Sequence, residues 1–194
     1  MPHDHHFDPQ QLAQMEEFRR SIFPPEEALQ HFIVRSDMVI ADIGCGPGFY
    51  TVEAARMLPA GTVYAIDKQE DMIDWTQRRA REASLTNVTT ILASAESIPL
   101  PSESLDAILM ANVLHDVPEQ VHILREVQRL LKPGGVYFLI EWDKIATDFG
   151  PPLEIRFRPS DLRDTLLEHH FNPVRQIPAP QPWFQVLAIK PALQ

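Results

Sequence analysis

The 194 residues are 44% hydrophobic and 23% charged, the composition of one globular domain with room for a substantial core. Acidic residues outnumber basic ones by 27 to 17, and the resulting charge of −10 argues against binding to nucleic acid or an anionic membrane surface and favours a small-molecule partner. Cys45 is the one cysteine, which excludes an internal disulfide and a thiolate metal cluster; with no apolar run of bilayer length and no apolar signal core in MPHDHHFDP, the expected location is cytoplasmic.

Residues 1–37 read as a helical cap ahead of a domain spanning 38–194. Leu12, Met15, Phe18 and Ile22 recur at steps of three and four and give one apolar face. A second helix is predicted to open at Pro24-Pro25-Glu26-Glu27, with proline in the first turn and acids at the positive end of the dipole, and to carry Leu29, Phe32 and Ile33. Two roles stand for these helices: covering one edge of a sheet, or capping a pocket. His3, His5 and His6 cluster in a terminal segment without a rigid frame or a closed ligand set, so no metal site is expected.

The chain is organised around MVIADIGCGPGFY, residues 38–50. Met38 to Ile43 is short and β-branched, the pattern of a strand buried on both faces. Gly44, Gly46 and Gly48 follow at once, where the backbone turns and a ligand approaches without a Cβ in the way. A helix is predicted over Phe49–Leu58, closed by Pro59 and Gly61, so the ligand would sit beside unpaired N–H groups of a helix N-terminus. A nucleotide-like ligand is implied. The dinucleotide fingerprint G-x-G-x-x-G needs its third glycine where Phe49 stands, and the absence of G-x-x-x-x-G-K-[ST] removes a P-loop. What remains is D-x-G-x-G-x-G from Asp42. It closely resembles the first motif of the class I S-adenosylmethionine (SAM) dependent methyltransferases, whose usual form is DIGCGxG.

Thr62 to Ile66 is the second predicted strand, ending at Asp67. In α/β sheets an acid at that position accepts hydrogen bonds from ribose hydroxyls; the competing role is to cap the helix from about Gln69 to Ala83. Met72 falls next to the expected adenine position and Ile73 in the core. The strand Val88–Leu92 leads into ASAESIPLPSES, which resembles the family's GDAExLPF segment, where an acid and a backbone N–H hold the adenine. Ser94 stands where the acid is usual and accepts without charge. Ala95 and Glu96 match better, although Glu96 also reads as an exposed loop acid.

Leu105–Met110 is the fourth predicted strand, ending at Ala111-Asn112-Val113-Leu114-His115-Asp116. Ligands of open α/β sheets sit outside the carboxyl ends of strands, so this stretch belongs to the site. Asn112 is the candidate to hold the methionine part of SAM, through its backbone. His115, with an ordinary pKa near neutrality, is the candidate to take a proton from the nucleophile or to orient substrate; the alternative is a polar residue at the pocket edge. Asp116 reads as the cap of a helix from Pro118 to Leu131 that packs through Val121, Leu124, Val127 and Leu131. Lys132-Pro133-Gly134-Gly135 is a helix stop before a fifth strand, Val136–Ile140, and LLKPGGVYFLIEW is the second stretch close to the methyltransferase family.

Glu141, Trp142 and Asp143 end that strand and face the same crevice. From Lys144 to Pro159 periodicity is lost, and Phe149, Arg156, Phe157 and Arg158 are either substrate contacts or parts of a proline-stiffened surface loop. A last helix, Ser160–His170, and two strands, Phe171–Gln176 and Trp183–Lys190, make an antiparallel finish.

Strands and helices alternate from residue 38 onward, which gives an α/β, doubly wound sheet. The resemblance implies a mostly parallel, seven-stranded Rossmann-like sheet with its last strand antiparallel. Within the small-molecule branch similar to quinone-biosynthesis methyltransferases, it implies SAM as cofactor and in-line transfer of a methyl group to a small-molecule acceptor. It also implies a cofactor site of Asp42, Gly44, Cys45, Gly46, Gly48, Asp67, Lys68, Met72, Ser94, Ala95, Glu96 and Asn112. Two other classes stay open: a SAM-binding protein without catalysis, and a nicotinamide-dependent oxidoreductase, whose fingerprint Phe49 spoils. Oxygen, nitrogen and carbon acceptors all fit these motifs, which specify no oligomeric state.

Overall fold

The computed structural model describes residues 8–117 and 119–192. They fall into two compact units, Met1–Pro99 and Leu100–Gln194. The first opens with three short helices, α1 (Pro9–Gln14), α2 (Glu16–Ile22) and α3 (Pro25–Leu29). The amphipathic run from Leu12 to Ile22 is thus two helices joined at Met15, and α3 begins on proline as its composition requires. His3, His5 and His6 lie outside the described residues.

Then follow β1 (Val39–Ile43), α4 (Phe49–Met57), β2 (Thr62–Asp67), α5 (Glu70–Glu82) and β3 (Val88–Leu92). β1 pairs in parallel with β2, and β2 with β3. Parallel neighbours need a long crossover, which α4 and α5 supply. Ile40, Ala41, Ile43, Val63, Ala65 and Ile66 are all buried, which is why both strands read as unbroken apolar runs. α5 buries Met72, Thr76 and Ala80, one residue per turn, and leaves Ile73 half-buried beside that stripe.

The second unit contains β4 (Leu105–Ala111), a 3-10 turn (Leu114–Asp116), α6 (Gln120–Leu130) and β5 (Leu131–Trp142). A second 3-10 turn (Leu153–Ile155), α7 (Pro159–Glu168), β6 (Val174–Ile177) and β7 (Trp183–Ile189) complete it. β4 and β5 are parallel, whereas β7 runs antiparallel to both β5 and β6. The seven strands take the order β3-β2-β1-β4-β5-β7-β6, the expected doubly wound, mostly parallel sheet with an antiparallel finish. Ile108, Leu109, Phe138, Leu139, Leu162 and Phe171 are fully buried in the core of this unit.

Several local expectations are corrected: α3 ends at Leu29, short of Phe32 and Ile33. Asp116 closes the 3-10 turn and does not cap the next helix, which starts at Gln120 behind Glu119; the expected first-turn Pro118 lies outside the described residues. Lys132-Pro133-Gly134-Gly135 does not stand between helix and strand, because Leu131 is already extended and begins β5. The pairing with β4 shifts register between Leu105 and Ala107, and Gly134, at φ +79°, accommodates the irregularity.

Candidate functional site

In the first unit, β1 delivers Asp42 straight into the glycine loop. Gly44, Gly46 and Gly48 have φ of 71°, 53° and 87°, so the alternating glycines answer to left-handed backbone. The loop is pinned by named bonds. Gly44 N and Cys45 N donate to the Ile66 carbonyl at 2.8 and 3.0 Å, and Thr76 Oγ1 donates to the Gly46 carbonyl at 2.7 Å. Arg79 Nη1 donates to the Pro47 carbonyl at 3.0 Å and pairs with Glu16, which ties α2 to the loop. A Cβ added at Gly48 would meet Thr76 Oγ1 at 3.0 Å, so packing demands glycine there. Among the described residues, one added at Gly46 would meet only Leu12 Cδ1, at 4.0 Å, so they leave that face of the loop open for a ligand.

Asp67, at the end of β2, accepts from Gly46 N and Gln69 N, each at 3.0 Å, and bridges the loop to α5. The N-cap residue of α5 is Gln69, two positions later. Burial raises the Asp67 carboxyl above its ordinary value, opposed by the backbone donors of Gln69, Gly46 and Lys68. Its lone pairs retain capacity for a hydroxyl. Asp42 is 2% exposed and accepts from Thr51 Oγ1 at 2.6 Å. Burial pushes it up to about 7, the Thr51 hydroxyl opposing and the Asp67 charge adding to the rise.

The other candidates of this unit are spread between core and surface. Cys45 is buried, its Sγ 3.6 Å from the Gly46 carbonyl and 3.9 Å from Thr76 Oγ1, and burial pushes the thiol well up, so it is a filler and no nucleophile. Met72 is buried in the α5 stripe, whereas Lys68 is exposed. Ser94 and Glu96 are exposed and Ala95 half-buried, in a turn where Glu96 N donates to Ser94 Oγ at 3.3 Å. An open loop face beside a strand-end acid fits an adenosine-bearing ligand.

In the second unit, Asn112 follows β4 with φ of 57°. Its backbone N donates to the Ile140 carbonyl at 2.8 Å and is therefore committed, while its side-chain Oδ1 is buried without a hydrogen-bond partner. The side-chain oxygen, more than the backbone N–H, is what Asn112 has to offer a ligand. His115 lies in the following 3-10 turn with its side chain 5% exposed. Nδ1 is 2.7 Å from Glu141 Oε2, and Glu141 Oε1 accepts from Leu114 N at 2.8 Å. Burial pulls the imidazole pKa down, but the hydrogen bond and charge of Glu141 overcome that, with Asp116 adding and Arg156 opposing, so it lies above its ordinary 6.5.

Arg156 is not available to substrate. It is 5% exposed, and its guanidinium donates to the Ile145, Phe149 and Pro151 carbonyls at 2.8, 3.0 and 2.8 Å, 5.1 Å from the Trp142 ring. It staples the loop after β5. Thr51, Thr76 and the His115 partnership of Glu141 were missed by sequence reasoning. The signal for Glu141 was present: an acid inside the apolar run VYFLIEW must find a partner. Among the described residues no group of three or more His, Cys, Asp and Glu side chains is placed to hold a metal, and no helix is long and apolar enough to cross a membrane.

Residues 34–165 match the family described as a methyltransferase domain. A relative from Geobacillus sp. (strain WCH70), named demethylmenaquinone methyltransferase, is 30% identical over 125 residues, 64% of this chain and 53% of its own. The chain thus spans about half the length of the curated relatives it matches. The crystal structure of a SAM dependent methyltransferase from Aquifex aeolicus superposes with a TM-score of 0.87 at 31% identity, over 95% of this chain and 100% of its own. A [4+2]-cyclase shares the fold at a TM-score of 0.74 and 18% identity, over 87% of this chain and 80% of its own.

Proposed function

The chain belongs to the methyltransferase domain family, and from that premise we propose that it transfers the methyl group of SAM to a small-molecule acceptor. The carrying observation is the open face at Gly46 beside Asp67, with the loop backbone already arranged and no side chain of the described residues filling it. SAM supplies an electrophilic methyl group on a sulfonium that is already a good leaving group, so the protein has mainly to align the reactants and exclude water. Asp67 would accept from ribose hydroxyls, and the Ser94–Glu96 turn would meet the adenine through uncharged and backbone groups. Leu12 and the Glu16–Arg79 pair support a capping role for the N-terminal helices over the loop. On the acceptor side, His115 is the proton acceptor.

The name of the Geobacillus relative makes reduced demethylmenaquinone analogues the first acceptors to try. A second reading, SAM binding without methyl transfer, is kept because a [4+2]-cyclase has this fold and fold does not fix chemistry. The test is incubation of the purified protein with methyl-labelled SAM and a panel of hydroquinones, phenols and amines. Label in one acceptor class with matching S-adenosylhomocysteine is the expected result. Tight SAM binding with no label in any class would leave the second reading.

A further inference from the structure

Glu141 sits in β5 between Ile140 and Trp142 with 0% exposure. A carboxylate taken out of water costs several kcal/mol unless it is paired and hydrogen-bonded. Both oxygens are used, and by neighbours in one short stretch. Oε1 accepts from the backbone N of Leu114 at 2.8 Å, and Oε2 lies 2.7 Å from Nδ1 of His115. One oxygen therefore fixes the backbone of the turn and the other fixes the ring beside it. An ionised carboxylate has no proton to give, so Nδ1 carries it. Nε2 is 3.6 Å from Asp116 Oδ2, too far for a hydrogen bond, and is left as the ring's uncommitted nitrogen.

Resting on the methyl-transfer reading, we propose that Glu141 is a positioning residue for His115, holding the imidazole with its proton on Nδ1 so that Nε2 takes the proton of a phenol-like hydroxyl on the acceptor. The acceptor O–H proton passes to Nε2. The electron pair released on oxygen, or on the ring carbon conjugated with it, forms the bond to the methyl carbon; in the carbon case that ring carbon then gives up its hydrogen as a proton and the oxygen regains one, which restores the aromatic hydroxyl. The carbon–sulfur bond breaks and its pair stays on sulfur. His115 is left as an imidazolium between Glu141 and Asp116 and returns the proton to solvent before the next turnover. A phenol-like hydroxyl is the matching class because proton transfer is efficient when donor and acceptor are close in acidity, and an aliphatic alcohol is far too weak an acid for an imidazole.

The groups that face the ring are Glu141 from β5, Asp116 from the same turn and Arg156 from the loop after β5. The two acids outweigh the arginine and burial, so the proton-accepting form grows in above pH 6.5. Turnover should therefore rise on an acidic limb that the Glu141 charge sets.

The test reads the ring directly in the full chain without SAM, by nitrogen-15 NMR of histidine-labelled protein, with the His115 signals assigned by their loss in His115→Gln. The expected neutral form has the proton on Nδ1 and a bare Nε2, with a titration midpoint above 6.5. The opposite tautomer, or a midpoint at or below that value, overturns the proposal. Glu141→Gln keeps the size and removes the charge. It should lower the midpoint by about a unit or more, move the acidic limb of turnover with it, and reduce kcat about 100-fold while the KM for SAM stays within about twofold. Glu141→Asp should restore part of the limb. Loss of turnover that follows only a fall in melting temperature, with the limb unmoved, makes Glu141 merely structural and overturns the proposal. If Glu141→Gln does not fold, the wild-type tautomer and midpoint decide. Because the NMR needs no methyl transfer, the expected tautomer in a protein that methylates none of the phenolic panel would sink the transfer reading and leave the clamp standing.

Discussion

The two units each hold a candidate polar side chain at or just past the end of a parallel strand, and they hold it in opposite ways. Asp67 is gripped by backbone donors, Gly46 N and Gln69 N, from the loop and the helix start it joins. His115 is gripped by one side chain from another strand, 26 residues away, and that side chain is itself fully buried. A backbone grip asks only for glycines at the right steps, so it tolerates change in the surrounding side chains. A side-chain clamp asks for one particular acid, and removing it strands a charge or a tautomer. The first arrangement suits a recognition element, the second a group whose protonation state matters.

If this division holds, variants should separate cleanly. The largest effect is expected for His115→Gln, a loss of about 10²- to 10⁴-fold in kcat with SAM affinity unchanged in calorimetric titration. An equal loss of SAM affinity would erase the contrast between the units. Asp42 comes next, through pH. Its folded value of about 7 lies above the ordinary 3.8, so between those values the folded protein keeps a proton that the unfolded chain has released. Stability should fall as pH rises from about 4 to about 7 and then level off, by at most about 4 kcal/mol. Asp42→Asn should make that part of the denaturation profile less steep, Asp67 and His115, whose values are also raised, keeping a share of the slope, and a slope unchanged by the substitution would refute the buried neutral acid. Asp67→Ala should weaken SAM binding about 100-fold, as expected for losing charge-assisted hydrogen bonds, while turnover at saturating SAM largely survives.

The smallest effect distinguishes two glycines. Both have positive φ, which costs a side chain about 1–2 kcal/mol, but only Gly48 would also press on Thr76. Gly48→Ala should melt lower than Gly46→Ala, whereas Gly46→Ala should lose more SAM affinity. The reverse order would mean that the open face at Gly46 is not where the cofactor lies.

The same contrast explains what could be read from the chain. Unbroken apolar runs announced the buried strands, and the positions of Gly44, Gly46, Gly48 and Asp67 announced the loop, because both signals are local. Local signals also misled. Lys132-Pro133-Gly134-Gly135 looks like a helix stop, yet Leu131 before it pairs with Leu105 and Val136 after it with Ala107, so it lies inside β5 as the irregularity between two β4 pairings, a tertiary arrangement that no local pattern records. Asp116 looks like a cap, but α6 starts later. Arg156 reads as either a substrate contact or part of a proline-stiffened surface loop, and three carbonyls of that loop hold its guanidinium, a choice the local pattern could not make. The His115–Glu141 clamp joins two segments whose register becomes known only when β4 and β5 are paired, so Glu141 stood in view without its role.

The decisive measurement is thermal melting of the wild type, Asp67→Ala and His115→Gln with SAM, S-adenosylhomocysteine and NAD in parallel. A ligand at about 100 times its Kd stabilises by roughly 2.7 kcal/mol, a rise of several degrees for a chain of this size. Both adenosyl ligands should raise the Tm of the wild type and of His115→Gln, NAD should raise neither, and Asp67→Ala should lose the shift. A shift with NAD, no shift with SAM, or a shift lost equally in both variants would contradict a cofactor held by the first unit and proton chemistry held by the second.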